Sequence, residues 1–110
     1  MKLKKPWLEN AEQLAQEQPE KFNIVIRRNS LRAGDAVKLE CGVEAIWVRI
    51  YRTAKRAYRA KTTSFGKVSY FGRVETLTKL VDNHGLSQGD RVKFGSAQVF
   101  RAMRLGHLLP

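Results

Sequence analysis

The chain has 110 residues, of which 43% are hydrophobic, and it carries a formal net charge of +11 at pH 7. This composition is typical of one globular domain and excludes a disordered chain, while the short length leaves little area for a deep catalytic cleft. So large a charge on so small a domain favours a polyanionic partner. An excess of cations that only keeps the protein soluble would give the same net charge.

A lone cysteine and the lack of long apolar segments limit where the protein can work. Cys41 excludes an intramolecular disulfide and is expected to be a buried, inert thiol. No apolar segment follows the basic residues 1–6, which argues against a secretion signal. No apolar run approaches the roughly 20 residues that span a bilayer. We therefore expect a cytoplasmic protein without a membrane partner.

An amphipathic helix is the first predicted element, and it extends from Pro6 to Gln18. Proline suits the first turn of a helix, and Pro19 ends the element because its ring cannot continue the hydrogen-bond ladder. Apolar residues recur at three- and four-residue spacing and would share one face: Trp7, Leu8, Ala11, Leu14 and Ala15. We expect this helix to dock as a lid on the rest of the domain.

Period-two alternation and turn residues predict five or six short strands after the helix. The predicted strands cover residues 22–26, 36–40, 45–52, 58–62, 67–74 and 97–103. Residues 53–57 are predicted to form a charged loop. Residues 75–83 favour a short helix, with a left-handed cap at Gly85, and the alternative is that they continue the preceding strand.

Residues 45–52 form the clearest predicted strand, because side chains of opposite character alternate along it. One set faces one side: Ile46, Val48 and Ile50. The other set faces the opposite side: Trp47, Arg49 and Tyr51. The aliphatic side must be core, so the side with two rings and a guanidinium is either covered by a second layer or available for binding.

The chain contains an internal repeat, L-x-x-G-D-x-V-K followed by an apolar residue, at residues 31–39 and 86–94. Gly-Asp makes a turn, the leucine anchors it to the core, and the valine enters the next strand facing inward. Asp35 and Asp90 are therefore predicted to form turns rather than a paired carboxylate site. Val37 and Val92 are predicted to be buried.

Together these elements predict an α+β fold that is mostly β. We expect a small SH3-like or OB-like barrel of five or six short strands with an N-terminal helix. One domain spans residues 1–110, with fraying expected at residues 1–5 and 105–110.

Several of these motifs share the spacing of a known family. They are A-x-x-x-A-x-x-x-P-x-x-F from Ala11, G-D-x-V-K from Gly34, E-x-x-W-V-x-I from Glu44 and G-L-x-x-G-D-x-V-x-F from Gly85. Over residues 11–99 this pattern resembles the YegJ-like family of small bacterial domains. The resemblance implies a compact α+β fold and no particular activity. Residues 52–73 are longer and more basic than the usual middle of that family, which points to that segment for the function of this chain.

A basic and aromatic segment at residues 45–74 contains no carboxylate, eight lysines and arginines, and six aromatic residues. Such a segment favours nucleic acid, either DNA or RNA, because cations bind phosphates and rings stack on bases. The candidate nucleic-acid-binding residues lie between positions 49 and 73: Arg49, Tyr51, Arg52, Lys55, Arg56, Tyr58, Arg59, Lys61, Lys67 and Arg73.

Two modes of nucleic-acid binding follow from this segment. Rings could stack on the bases of a single strand, and the candidates are Trp47, Tyr51, Tyr58 and Tyr70. Alternatively, residues 52–61 could enter a duplex groove as a charged finger. Four rings are expected to lie mostly in the core of so small a barrel: Trp47, Phe65, Phe71 and Phe94. Tyr51 and Tyr58 are the rings most expected to be exposed, because cations flank each of them.

A different class of function could use the same charge. A cationic patch can clamp an acidic protein, so a protein-interaction or inhibitor module is the alternative. The sequence shows no Gly-rich phosphate loop, and His84 and His107 lie too far apart to suggest a metal site. Glu44 and Glu75 flank the basic segment and are expected to be ordinary surface charges. We expect a protein that is not an enzyme and that uses no metal or small-molecule cofactor.

Overall fold

Six antiparallel strands form one sheet in the computed structural model, which describes residues 3–4, 6–18, 27–42, 44–55, 68–77 and 85–109. The strands are β1 (Ala36–Cys41), β2 (Glu44–Lys55), β3 (Val68–Leu77), β4 (Arg91–Gly95), β5 (Arg101–Arg104) and β6 (His107–Leu108). Their order across the sheet is β4-β3-β2-β1-β5-β6. The sheet curls into a half-barrel, so the prediction of a mostly β fold with one short helix is confirmed.

The hydrophobic core lies inside the curl of the sheet. Its largest fully buried apolar side chains come from four strands and one loop: Leu39, Ile46, Ile50, Tyr70, Leu86 and Phe94. Val37 and Val92 are each 0% exposed, as the repeat predicts. The alternation of residues 45–52 is confirmed too, because the aliphatic side chains are buried and the opposite set reaches the outer surface.

The two Gly-Asp turns have the predicted conformation. Gly34 and Gly89 adopt φ values of 98° and 89°, a region in which glycine avoids the strain of a side chain. The Asp35 carboxylate accepts the Arg32 N–H at 3.0 Å, and the Asp90 carboxylate accepts the Ser87 N–H at 2.8 Å. Each aspartate therefore closes its own turn, which confirms their predicted role.

The N-terminal helix α1 covers Ala11–Glu17 and starts later than predicted. Asn10 caps it, because its side-chain oxygen accepts the Gln13 N–H at 2.9 Å. The chain before Asn10 instead runs beside β1, where the Glu9 N–H donates to the Glu40 carbonyl at 2.8 Å. Trp7 consequently lies outside the apolar stripe and is 67% exposed. The predicted lid is confirmed in position, because α1 packs against a 3-10 helix at Ser96–Gln98 with Ala11 buried.

Three predicted boundaries of the strands are wrong. The predicted loop at residues 53–55 continues β2, and the predicted helix at residues 75–77 continues β3, because the two strands pair along most of their length. The strand predicted at residues 97–103 begins only at Arg101. Before it, the Gln98 side chain accepts the Gly95 N–H at 2.9 Å and closes a 3-10 helix. The elements predicted at residues 22–26, 58–62 and 78–83 lie outside the described residues.

Cys41 is 1% exposed at the end of β1, as expected of an inert thiol. Burial raises the pKa of this thiol, and the nearby carboxylates of Glu44 and Glu9 raise it further. In the part of the chain that the structure describes, no helix is long and apolar enough to cross a membrane.

Candidate nucleic-acid interface

A β-bulge in the hairpin of β2 and β3 directs two consecutive side chains outward. Ile50 pairs with Gly72 and Arg52 pairs with Phe71, so Tyr51 is an extra residue on β2. Tyr51 and Arg52 are both exposed, although strict alternation would have turned one of them inward. The bulge therefore places a ring and a guanidinium side by side on the outer surface.

Five side chains from β2, β3 and β4 pack together on this surface, and we call them the cationic face: Tyr51, Arg52, Phe71, Arg73 and Lys93. The Arg52 guanidinium carbon lies 4.4 Å from the centroid of the Phe71 ring, and the Lys93 ammonium lies 5.7 Å from it. The Arg73 guanidinium carbon lies 5.8 Å from the centroid of the Tyr51 ring. These are cation–π distances, so the rings help to hold the three cations in place.

The cationic face combines accessible charge with one accessible ring. Arg52 and Arg73 are exposed, and Lys93 is partly buried. Phe71 is partly buried between two cations, whereas Tyr51 is 40% exposed. Among the residues that the structure describes, no carboxylate lies within ion-pair distance of Arg52, Arg73 or Lys93. These cations can therefore bind an external anion without first breaking an ion pair.

An approximate two-fold axis relates the two halves of the sheet, and it passes between the directly paired Arg49 and Arg73. On one side Gly34 donates its N–H to the Ile50 carbonyl at 2.8 Å. On the other side Gly89 donates its N–H to the Val74 carbonyl at 2.8 Å. The two Gly-Asp turns are thus hydrogen-bonded to equivalent positions of β2 and β3.

The same relation extends to the outer surface. Lys38 pairs with Trp47 in one half, and Lys93 pairs with Phe71 in the other. A second bulge leaves Glu75 as the extra residue on β3, since Trp47 pairs with Thr76 and Val48 with Val74. Glu75 is therefore the counterpart of Tyr51.

The two related halves differ in charge. In the first half Arg49 binds Glu75 through two hydrogen bonds of 3.1 and 3.0 Å, and it also donates to the Gly34 carbonyl at 2.9 Å. Lys38 lies 3.8 Å from the Glu40 carboxylate. Arg49 and Lys38 thus each have a carboxylate partner, and Arg101, which pairs with Lys38 across β1 and β5, adds a third cation beside them, whereas the described residues of the cationic face hold three cations and no acid. The second half therefore carries the less compensated positive charge among the described residues.

The structure places the ten predicted binding residues unevenly. Tyr51, Arg52 and Arg73 belong to the cationic face, while Arg49 is exposed but bound to Glu75. Lys55 is the last residue of β2, and the structure describes its backbone only. The remaining five predicted residues lie outside the described part of the chain: Arg56, Tyr58, Arg59, Lys61 and Lys67.

Lys93 belongs to the cationic face although it lies outside residues 45–74, and the sequence did not predict it or the place of Phe71 on this surface. The signal was present in the repeat, because Lys93 occupies the position that Lys38 occupies in the first copy. Residues 47–51 (WVRIY) and 71–75 (FGRVE) also share an aromatic residue, an arginine and an aliphatic residue at the same spacing. Together the two similarities indicate the two-fold relation.

Two predicted surface residues are buried instead. Tyr70 was a candidate for base stacking, but it is 0% exposed and packs on Phe94 with ring centroids 5.6 Å apart. Its hydroxyl donates to the Arg28 carbonyl and accepts the Leu31 N–H at 3.3 Å, and burial raises its pKa. Glu44 is also 0% exposed, because it shares the inward side of β2 with Ile46. Of the rings predicted to be core, Phe94 is fully buried, Trp47 and Phe71 are partly buried, and Phe65 lies outside the described residues.

The described residues include no group of three or more His, Cys, Asp or Glu side chains placed to hold a metal ion. Comparisons with protein-family models, with curated proteins and with solved structures gave no match. The resemblance to the YegJ-like family therefore stays a prediction, and the functional argument depends on the geometry of this chain alone.

Proposed function

We propose that this protein is a nucleic-acid-binding module whose cationic face contacts the phosphate backbone. The observation that carries the proposal is the difference in charge between the two related halves of the sheet. Arg52, Arg73 and Lys93 are held against rings, and no described carboxylate neutralises them. Preorganised cations bind phosphates with little loss of side-chain freedom, and most of the resulting affinity is independent of sequence.

The proposed architecture agrees with this use. We class the half-barrel with small SH3-like or OB-like barrels, on the basis of its curled antiparallel sheet and its six short strands. Barrels of the OB type bind oligonucleotides across a strand face and the adjoining loops. The cationic face lies on β2, β3 and β4. Residues 56–67 connect β2 to β3, so the further cations predicted to bind nucleic acid belong to the segment between two strands of the cationic face.

We propose binding without catalysis, cofactor or membrane partner, in the cytoplasm, on the sequence grounds given above. The alternative is a module that clamps an acidic protein, which would use the same cations. A nucleic acid is favoured because exposed Tyr51 lies beside Arg73, and a ring next to a cation matches a base next to its phosphate.

Neutralising the cationic face tests the proposal. One triple variant removes three charges from this face: Arg52→Gln, Arg73→Gln and Lys93→Gln. A control triple variant removes three charges elsewhere: Arg27→Gln, Arg32→Gln and Arg101→Gln. Fluorescence anisotropy with labelled DNA and RNA of about 20 nucleotides, at about 50 mM salt, measures the affinity of each. We expect a loss of at least tenfold for the first variant and of less than threefold for the control.

Equal losses in the two variants would mean that net charge alone drives binding, and the proposed interface would be wrong. If the wild-type protein binds neither DNA nor RNA at low salt, the acidic-protein alternative is favoured. Unchanged thermal unfolding midpoints for both variants are the control for folding, since exposed charges change stability by only about 0.5 kcal/mol each.

A further inference from the structure

A groove of ≈ 400 Å³ opens on the cationic face beside the second Gly-Asp turn. Arg73 and Tyr51 line it together with Gln88 and Gly89 of that turn, and the ion pair of Arg49 and Glu75 lies at its other side. In the related half of the sheet, Arg49 occupies the corresponding position next to Gly34 and donates to the Gly34 carbonyl at 2.9 Å, so we call this the closed corner. The two-fold relation therefore produces one closed corner and one open corner from similar parts.

The closed corner shows how an arginine at this position engages an oxyanion. Arg49 donates from Nε and Nη2 to the two carboxylate oxygens of Glu75, at 3.1 and 3.0 Å. This is the forked geometry in which a guanidinium also binds phosphate. Arg73 is the counterpart of Arg49, and among the described residues no carboxylate pairs with it. Its guanidinium is suited to take a phosphate in the same forked manner.

The open corner has a ring where the closed corner has the carboxylate. Tyr51 is the counterpart of Glu75, it is 40% exposed, and its ring centroid lies 5.8 Å from the Arg73 guanidinium carbon. A nucleotide likewise joins a flat base to a phosphate through a sugar, so one nucleotide can contact both side chains. The base must be unstacked from its neighbours to lie on the tyrosine ring, and only a single strand offers its bases in that way.

We infer that Arg73 and Tyr51 form a subsite for one nucleotide of a single-stranded nucleic acid, with the phosphate on Arg73 and the base on Tyr51. This inference rests on the proposed function and adds to it a preference for single strands over duplexes. The groove beside Gly89 receives the nucleotide, and Arg52 and Lys93 contact the phosphates that flank it.

Substitutions of Tyr51 test the subsite, because they leave the charge of the face unchanged. Affinity is measured for labelled oligothymidine and oligouridine and for a DNA duplex of the same length. We expect the wild-type protein to bind the single strands more tightly than the duplex. Tyr51→Ala should weaken single-strand binding by about 5- to 100-fold and duplex binding by less than about twofold, and Tyr51→Phe should keep the wild-type affinity.

Substitutions of Arg73 test the phosphate half of the subsite. Arg73→Lys keeps the charge but removes the fork, so we expect it to weaken single-strand binding nearly as much as Arg73→Gln. If Tyr51→Ala weakens single-strand and duplex binding by the same factor, the subsite is wrong while the proposed function stands. The same conclusion follows if Tyr51→Ala changes neither affinity. If the wild-type protein binds no nucleic acid, the proposed function itself is wrong.

Discussion

At the scale of single residues, two equivalent aspartates depend on different partners. Arg104 donates to both carboxylate oxygens of Asp35, at 2.8 and 2.9 Å, and the Asp35 side chain is 2% exposed. Asp90 receives a hydrogen bond of 2.9 Å from Lys4, and its side chain is 19% exposed. Loss of Asp35 would leave Arg104, whose side chain is 30% exposed, whereas loss of Asp90 would leave Lys4, whose side chain is 43% exposed, so Asp35 is the more sensitive of the two.

Asp35 should make stability depend on acid pH. Burial by itself raises the pKa of Asp35, but the hydrogen bonds and charges of Arg104 and Arg32 hold it below its ordinary value. A carboxyl with a lowered folded-state pKa stabilises the protein above its unfolded pKa of about 3.9, and that contribution is lost as pH falls through the folded-state pKa. Asp35→Asn should therefore cost about 1–3 kcal/mol at neutral pH and progressively less at acid pH.

Urea denaturation of both proteins at a series of pH values measures this difference. Asp90→Asn is the matched control at the equivalent turn, and we expect a smaller loss there. A constant difference between wild type and Asp35→Asn from pH 7 to pH 2 would contradict the assignment of Asp35.

Glu75 is the residue that keeps Arg49 from acting as a free cation. Its carboxylate accepts both hydrogen bonds of the Arg49 fork, and the pair is nearly half exposed, with side chains 47% and 43% accessible. Glu75→Gln should release that charge and tighten nucleic-acid binding several-fold, with little change in stability because exposed ion pairs contribute about 0–1 kcal/mol. Anisotropy titration measures the effect, and Thr76→Gln, on the same strand, is the control. Weaker binding by Glu75→Gln would exclude a simple electrostatic role for this surface.

At the scale of elements, the hairpin of β2 and β3 depends on a glycine inside the core. A Cβ at Gly72 would overlap Val48 Cγ1 and would lie 2.8 Å from the Arg49 carbonyl oxygen. Val48 therefore occupies the space that a side chain at position 72 would need. Gly72 lies next to the bulge at Tyr51, so the fit of the two strands also sets the position of the cationic face.

Gly72→Ala should destabilise the protein by about 1–3 kcal/mol, because an overpacked core forces side chains and backbone to shift. Val48→Ala should also be destabilising by itself, since Val48 is 0% exposed. The double variant should lose less than the sum of the two, because the smaller side chain at position 48 makes room for the new methyl group. Urea denaturation gives all three values, and strictly additive losses would contradict the close contact.

The sequence predicts strands better than it predicts their pairing. Alternation in residues 45–52 and the two Gly-Asp turns identify the inward side chains correctly, because burial forces a period of two. The bulge at Tyr51 has no local signal, since the register of β2 against β3 is decided by packing between strands distant in sequence. The exposure of Arg52 and the contact of Lys93 with Phe71 follow from that register. Asn10 did carry a local signal, but Pro6 suggested an earlier helix start.

At the scale of the whole molecule, the position of each cation is better described by the two-fold relation between the halves of the sheet than by the basic segment at residues 45–74. The two halves have equivalent strand pairing, and they differ in a few side chains, chiefly Glu75 at the position equivalent to that of Tyr51. Arg49 and Arg73 pair directly across strands, and like charges in that arrangement repel each other. Glu75 offsets the repulsion as the ion-pair partner of Arg49, and Tyr51 does so as the ring beside Arg73. We propose that the closed half serves the fold and that the open half binds an anion.

The salt dependence of binding tests the central claim most directly, namely that Arg52, Arg73 and Lys93 contact phosphates. Affinity for a single-stranded oligonucleotide is measured between about 50 and 200 mM salt for the wild type and for the variant with glutamine at these three positions. Each lost phosphate contact should flatten the log–log slope by about 0.7, so we predict slopes that differ by about 2. Equal slopes, or a wild-type affinity that does not change with salt, would contradict the account.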